Sequence, residues 1–489
     1  MRLLLVFATV LIVVAELRIA AAGLDILAGQ RGVGGLVAVG GFGIVAVVLA
    51  TIGRRWLEPL AAVIFAAVAG VVGLALVAIV WQDGLAALVG VPAVPEIAAL
   101  EQRLVDKRLA DPAQLRAHTA PFLKTDALNF VALVVVVALG FAAIVGGYGR
   151  ASATASTRRA AALMVLALLV ALPPLAATGK RALLASFDGG IAVSAPPAWL
   201  AAHVTAGQVE LCGKVAAPVV SSVLSAAMSV AASAADLCGR GFGPKGLLRW
   251  QDAQFSREGL PYAALEAAGA PRSAGLLLIV AAILAAAILA ARASMVLLAR
   301  SYSAGLEAGT ARRAMMSVGV VAATAAVTVS MPLDFTQLFA LAASVAACAV
   351  IPALLVGSLF QRPAAMGVIG GMAIGVAVTI GLSLVPRIAP VAAMEASGAI
   401  ASLPPALVRR IATLAAAPVA PASATKAALR PTPVAVAPAE QLARIAEDRV
   451  TWLGLRPIAS GLIGLALACL LGFAVAAGAA AANAARRGS

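Results

Sequence analysis

Two charged side chains stand in stretches that otherwise carry none, and they are the residues whose chemistry stands out. In "ILAARASMVLLARSY" (residues 288–302), Arg292 follows an uncharged run from Ala274 to Ala291. In "LLLVFATVLIVVAELR", Glu16 closes an equally apolar run, and Arg18 follows two residues later. Charge inside hydrocarbon is costly and marks an ion or substrate path, or a counter-charge for one. Arg292 has two readings on these grounds. Its long side chain reaches toward the surface near Arg300, about 12 Å along a helix, or it neutralises a buried carboxylate, on a substrate or on Glu16. Glu16 and Arg18 are two apart, so on a helix they face different ways and need not pair.

Other chemistries find little support. The two histidines, His118 and His203, are far apart and form no metal-ligand pattern. No nucleophile–base arrangement stands out and the carboxylates are scattered through loops, so an enzyme is not expected. "GVGGLVAVGGFG" (32–43) superficially resembles a phosphate-binding loop but lacks a following Lys-Ser/Thr; its small residues suit close helix contact.

The elements that must position these residues are membrane helices. The chain has 489 residues, 63% hydrophobic and 12% charged, far below the roughly one quarter charged in soluble domains. Its uncharged stretches reach the roughly 20 residues that span a bilayer, and they are too long for barrel strands. The pattern predicts an all-α polytopic membrane protein with about ten crossings: 3–22, 33–52, 58–81, 127–148, 160–178, 273–299, 315–332, 337–359, 365–386 and 456–483. The net charge of +15 gathers in short loops, at Arg54–Arg55, Arg158–Arg159, Arg312–Arg313 and Arg486–Arg487. That is the mark of cytoplasmic loops rather than of nucleic-acid binding. It sets both termini in the cytoplasm and the chain in a plasma membrane, the bacterial inner membrane, its partner being the lipid bilayer.

Three long segments then fall outside: 82–126, 179–272 and 387–455. The first reads as a solvated helix. The third, Pro/Ala-rich, reads as an extended loop between a helical core (1–386) and a final helix with its tail (456–489). Within the second, Cys212 and Cys238 lie where a disulfide is allowed, and an unpaired pair is the alternative. Residues 215–237 are read as a helix on or dipping into the outer surface. The first twenty-two residues also have the form of a signal peptide, with an Ala-x-Ala ending at Ala22.

One stretch carries a family resemblance. "SVAACAVIPALLVGSLFQRPAAMGVIGGM" (344–372) resembles the late helices of the sodium:solute symporter family, in the acetate-permease-like branch. The shared pattern is Pro352-Ala353-Leu354, Gly357, Phe360-Gln361-Arg362, then Gly367, Gly370 and Gly371. "DALNF" (126–130), which contains Asn129, with Gly140-Phe141-Ala142-Ala143 looks like an earlier helix entry of that family. "WLGLRPIASGLIG" (452–464) is similar to the opening of its last helix, and "VAELRIAAAGLDIL" to a helix in its first third. The resemblance implies a LeuT-type inverted-repeat fold, here partial, with substrate and ion at the membrane midplane. It implies sodium- or proton-coupled uptake of a small organic solute, a short monocarboxylate in this branch, and no other cofactor.

The chain departs from the family in two places. Met1 opens directly into what resembles the third core helix, so the broken first helix has no counterpart and a second membrane subunit is one way to supply it. Where the family has a Ser/Thr pair and an aspartate to hold sodium, this chain has Leu289, Ala290, Ala291 and Arg292, with only Ser294 nearby. Apolar side chains do not coordinate a cation and a fixed positive charge repels one, which adds a third reading of Arg292, a surrogate cation in a vacated sodium position. The candidate substrate- or ion-binding residues are therefore Arg292, Ser294, Glu16 and Asn129. The expected function is a symporter-like secondary transporter; the alternative is a non-transporting pseudo-symporter that serves as subunit, scaffold or sensor.

Overall fold

The structure, a computed structural model, describes residues 2–41 except 33 and 36, then 93–112, 126–152 and 174–215 except 175, 194 and 213. It continues with 246–269, 333–359, 365–416 and 434–488 except 436. In chain order the longer described helices are α1 (Arg2–Ala28), α2 (Ala93–Asp106), α3 (Ala127–Ser152), α4 (176–188), α5 (Ala198–Thr205) and α6 (Leu260–Ala267). After them come α7 (Phe335–Leu359), α8 (Ala365–Ile388), α9 (Pro390–Ala396), α10 (Pro405–Ala416), α11 (Pro438–Arg449) and α12 (Gly461–Gly488).

Five of these, α1, α3, α7, α8 and α12, are long and apolar enough to cross a membrane. They form one bundle around α7, which packs against each of the other four. The sequence of α7 explains its central place. "FALAASVAACAV" is nearly all small, so neighbouring backbones come close, and Leu338 through Val350 are buried with few exceptions. Glycines set the tightest contacts. A Cβ on Gly375 would lie 2.6 Å from both the Gly464 carbonyl and the Ala468 methyl, and one on Gly371 would lie 2.7 Å from the Ala468 carbonyl. The α8–α12 pair is thus a small-residue seam, with Gly371 and Gly375 facing Gly464 and Ala468. Gly140 on α3 plays the same part against the Ala343 backbone of α7.

All three long segments meet at one end of the bundle. There lie the C-terminal ends of α1 and α8 and the N-terminal ends of α3, α7 and α12. Leu100 and Leu104 of α2 share a core with Leu184 and Phe187 of α4, Leu200 and Val204 of α5, and Leu211. A small four-stranded antiparallel sheet, in the order β3-β1-β2-β4, ties the later segments together: β1 (Val209–Leu211), β2 (Lys214–Val215), β3 (Ala253–Phe255) and β4 (Val434–Ala435). The all-α expectation therefore holds for the bundle, while this end cap carries short strands.

Residues 387–455 also differ from the extended loop their composition suggests. They contain α9, α10 and α11, which close a second small core through Met394, Ile411, Leu442 and Ala446. Proline is tolerated because it sits in the first turn of α9 and α11, where its missing N–H costs nothing. Cys212 is disulfide-bonded, whereas Cys348 and Cys469 are free thiols. That leaves Cys238 of the four, which lies outside the described residues.

Candidate functional site

Glu16 sits on α1, about 21 Å along the helix axis from Arg2. Its Oε2 is buried and has no hydrogen-bond partner among the described residues. A carboxyl held this way inside a membrane-length helix is expensive. The helices packed on α1 bring it no described relief: α7 carries no ionisable side chain besides Cys348, α3 has only Tyr148 and Arg150 at its far end, and α5 has only His203.

Two residues toward the cap, the sequence supplies the opposite charge. The Arg18 guanidinium donates to the Leu333 carbonyl, just before α7 begins, and it lies within the field of Glu258, Asp334 and Arg387. Arg18 and Glu16 thus do not pair in the described structure, in keeping with their spacing. Arg18 joins the polar boundary and Glu16 stays in the apolar layer beneath.

That boundary is an ionic clasp built around Asp334. "DFTQ" (334–337) is a reciprocal helix cap: Asp334 Oδ1 accepts from the Gln337 N–H at 3.0 Å, and the Asp334 N–H donates to Gln337 Oε1 at 3.1 Å. The other Asp334 oxygen receives Arg257 at 2.7 Å. Arg387, at the end of α8, makes a two-pronged pair with Glu447 and reaches Glu440 at 3.1 Å, both on α11. Arg444 extends the chain from Glu440 at 3.2 Å to Glu210 at 2.5 Å. The Arg387 and Glu447 side chains are only 10% and 11% exposed, so removing either partner would strand a buried charge. Burial pushes the Glu447 carboxyl up, against the pull of Arg387 and a hydrogen bond from Gln337.

A second buried pair lies in the cap: His203 Nε2 is 3.9 Å from Glu266 Oε2, with the two side chains 0% and 4% exposed. Trp199 meets the imidazole edge-on. Tyr262 links this region to the bundle by donating to the Ile19 carbonyl at 2.9 Å, and its burial pushes the phenol up.

The sequence candidates do not all converge. Arg292, Ser294 and the apolar triplet Leu289, Ala290 and Ala291 lie outside the described residues. Asn129 is a brace. Its amide donates to Asp126 at 2.8 Å and to the Gly454 carbonyl at 3.0 Å, and its oxygen accepts from the Arg456 N–H at 2.5 Å. The Asn129 backbone N–H, donating to Asp126 at 2.7 Å, and then its side-chain amide hold the Asp126 carboxyl below its ordinary value. This ties the start of α3 to the turn before α12 and leaves Asn129 no spare donor for a ligand. Of the described candidates, Glu16 has a buried oxygen without a described partner.

The described interior hydroxyls do not gather around an ion either. Thr379 Oγ1 and Ser344 Oγ donate to carbonyls of their own helices, Gly375 and Ala340. Their oxygens then press against Gly464 and Gly461 of α12, where even a methyl group would collide. Among the described residues there is no group of three or more His, Cys, Asp or Glu placed to hold a metal.

Most of the clasp was invisible in the sequence because its long-range partners are 53 to 234 residues apart. The Asp334–Gln337 cap and the Glu440–Arg444 pair at i,i+4 are its local parts. No protein-family model, curated protein or solved structure matches the chain, so the likeness to sodium:solute symporters rests on the motifs quoted above.

Proposed function

We propose that this chain is a sodium:solute symporter-like secondary transporter of a small organic solute, a short monocarboxylate, in a bacterial inner membrane. Both termini are cytoplasmic and the cap faces outward. The observation that carries the reading is Glu16, a carboxyl buried without a described partner where a membrane helix packs on the central helix. Membrane proteins keep such a costly group for ion or substrate movement. The orientation draws support from Arg150, Arg486 and Arg487 at the end away from the cap, and from the Cys212 disulfide within it, a bond suited to an oxidising compartment.

The test is uptake of labelled acetate, pyruvate and lactate into proteoliposomes, with sodium or proton gradients imposed or absent. Gradient-driven uptake that Glu16→Gln or Arg292→Ala abolishes is the expected result. No uptake under any gradient, from protein shown to be folded, overturns the reading.

The second reading, a non-transporting subunit or scaffold, is favoured by the closed α8–α12 seam, where Gly464 and Gly461 cover the only two described hydroxyls of α7 and α8 that sit at this contact. Crosslinking in native membranes separates the two readings: a stoichiometric membrane partner, together with no uptake by the isolated chain, selects the subunit.

A further inference from the structure

We propose that Glu16 is a proton-binding site, and that the ion coupled to solute movement is a proton rather than sodium. This rests on the transport reading and names the ion at its site.

The geometry separates the two ions by what each needs. Sodium is a hard cation that takes several oxygen ligands at once. Around α1 no such set is gathered among the described residues. The hydroxyls of Ser344 and Thr379 are pressed against glycine backbone, the Asn129 amide is spent on the turn before α12, and Thr9 donates to the Leu5 carbonyl one turn below. A proton needs one basic oxygen and no cage. Glu16 supplies one, with Oε2 enclosed and unpartnered among the described residues.

The described charged side chains nearest to α1 are otherwise occupied. On α1 itself, Arg18 donates to Leu333 and Asp25 accepts from the Gly34 N–H at 2.6 Å. His203 of α5 stands opposite Glu266 of α6, and Asp334, at the start of α7, is held by Arg257. Arg387 of α8 is held by Glu440 and Glu447.

The placement also suits exchange with one side. Glu16 lies about 3 Å along the helix axis beneath Arg18, whose guanidinium reaches the Leu333 carbonyl beside the clasp. A proton arriving from the cap side passes that ionic layer and binds the carboxylate, which gives a neutral acid able to sit in the apolar layer. Release returns the proton to water and leaves the negative charge on the Glu16 carboxylate, so the cycle needs no further reactant.

The experiment is infrared difference spectroscopy of the full chain in lipid bilayers, titrated from acid to alkaline pH, with uptake measured on the same preparation. The expected result is a carboxylic-acid C=O band that disappears on alkalinisation. It is absent in Glu16→Gln, retained at shifted frequency in Glu16→Asp, and insensitive to sodium. Three results overturn the proposal: no band assignable to Glu16 at any pH, as a permanent pair with Arg292 would produce; a band displaced by sodium; or sodium-driven uptake that Glu16→Gln leaves intact. If the band is present but no solute moves under any gradient, the proton site stands and the transport reading falls, which removes the coupling half of the inference.

Discussion

At the scale of single residues, polar side chains here are either fully committed or conspicuously uncommitted. Asn129 is committed on every polar atom to the joint between α3 and the turn 452–455, where Leu453 and Gly454 take left-handed φ of 51° and 80°. Asn129→Ala removes those bonds and leaves the Arg456 N–H unpaired, so we expect a loss of about 2 kcal/mol, read as a lower thermal midpoint in detergent. Asp188 is the cap's counterpart. Hydrogen bonding from Lys107, at 2.7 Å, and then the charges of Lys107 and Arg103 hold its carboxyl below the ordinary 3.8. A depressed value means that the contribution is present above pH 3.8 and is lost as pH falls through the lower folded value. Amide exchange in α2 and α4 is therefore expected to rise in strong acid, and Asp188→Asn should remove that pH dependence.

At the scale of elements, the bundle is held by backbone proximity more than by side-chain bulk. Gly464→Val drives a branched side chain into Thr379 and the Gly375 carbonyl. Overpacking of this kind costs about 1–3 kcal/mol, and we expect it to split α12 from α8, visible as loss of a monodisperse peak. Gly381→Ala is the matched control, since a Cβ there meets nothing within 4 Å. Proline is accommodated with equal economy. Pro386 removes the N–H that would bind the Leu382 carbonyl, and Trp452 Nε1 donates to that oxygen at 3.2 Å instead. The family-like residues Gly371 and Trp452 thus have packing or hydrogen-bonding roles that can be stated without reference to any family.

At the scale of the whole molecule, the cap and the bundle behave as parts of one body because the clasp crosses between them. Arg387 joins α8 to α11, Asp334 joins α7 to Arg257, and Arg444 carries the link to β1. Arg387→Ala strands Glu447 in a buried site. Breaking a buried pair costs about 3–5 kcal/mol, so we expect separation of the cap, seen as faster exchange in α9 and α11 while α7 stays protected. Glu447→Gln should be milder, since the amide oxygen still accepts a hydrogen bond from Arg387 and Glu440 still balances the Arg387 charge. Reduction of the Cys212 disulfide should loosen β1 and β2 without touching the bundle, and limited proteolysis of the cap before and after reduction checks it.

Sequence alone determined the solvent in which this chain folds. Uncharged runs of membrane length can satisfy their backbones only as helices, so α1, α3, α7, α8 and α12 were legible within a few residues. The lone carboxyl at Glu16 was legible too, because a charge in hydrocarbon stands out against its neighbours. What only the tertiary structure decided was where the scattered polar residues go. Nothing local marks Arg387 for Glu447, or β2 for β4, and the Pro/Ala-rich composition of 387–455 concealed three helices whose apolar faces are sparse and become buried only against each other. Asn129 illustrates the reason. Its residue type suits either a ligand or a brace, and only the arrival of a turn more than 300 residues away settles which atoms it must satisfy.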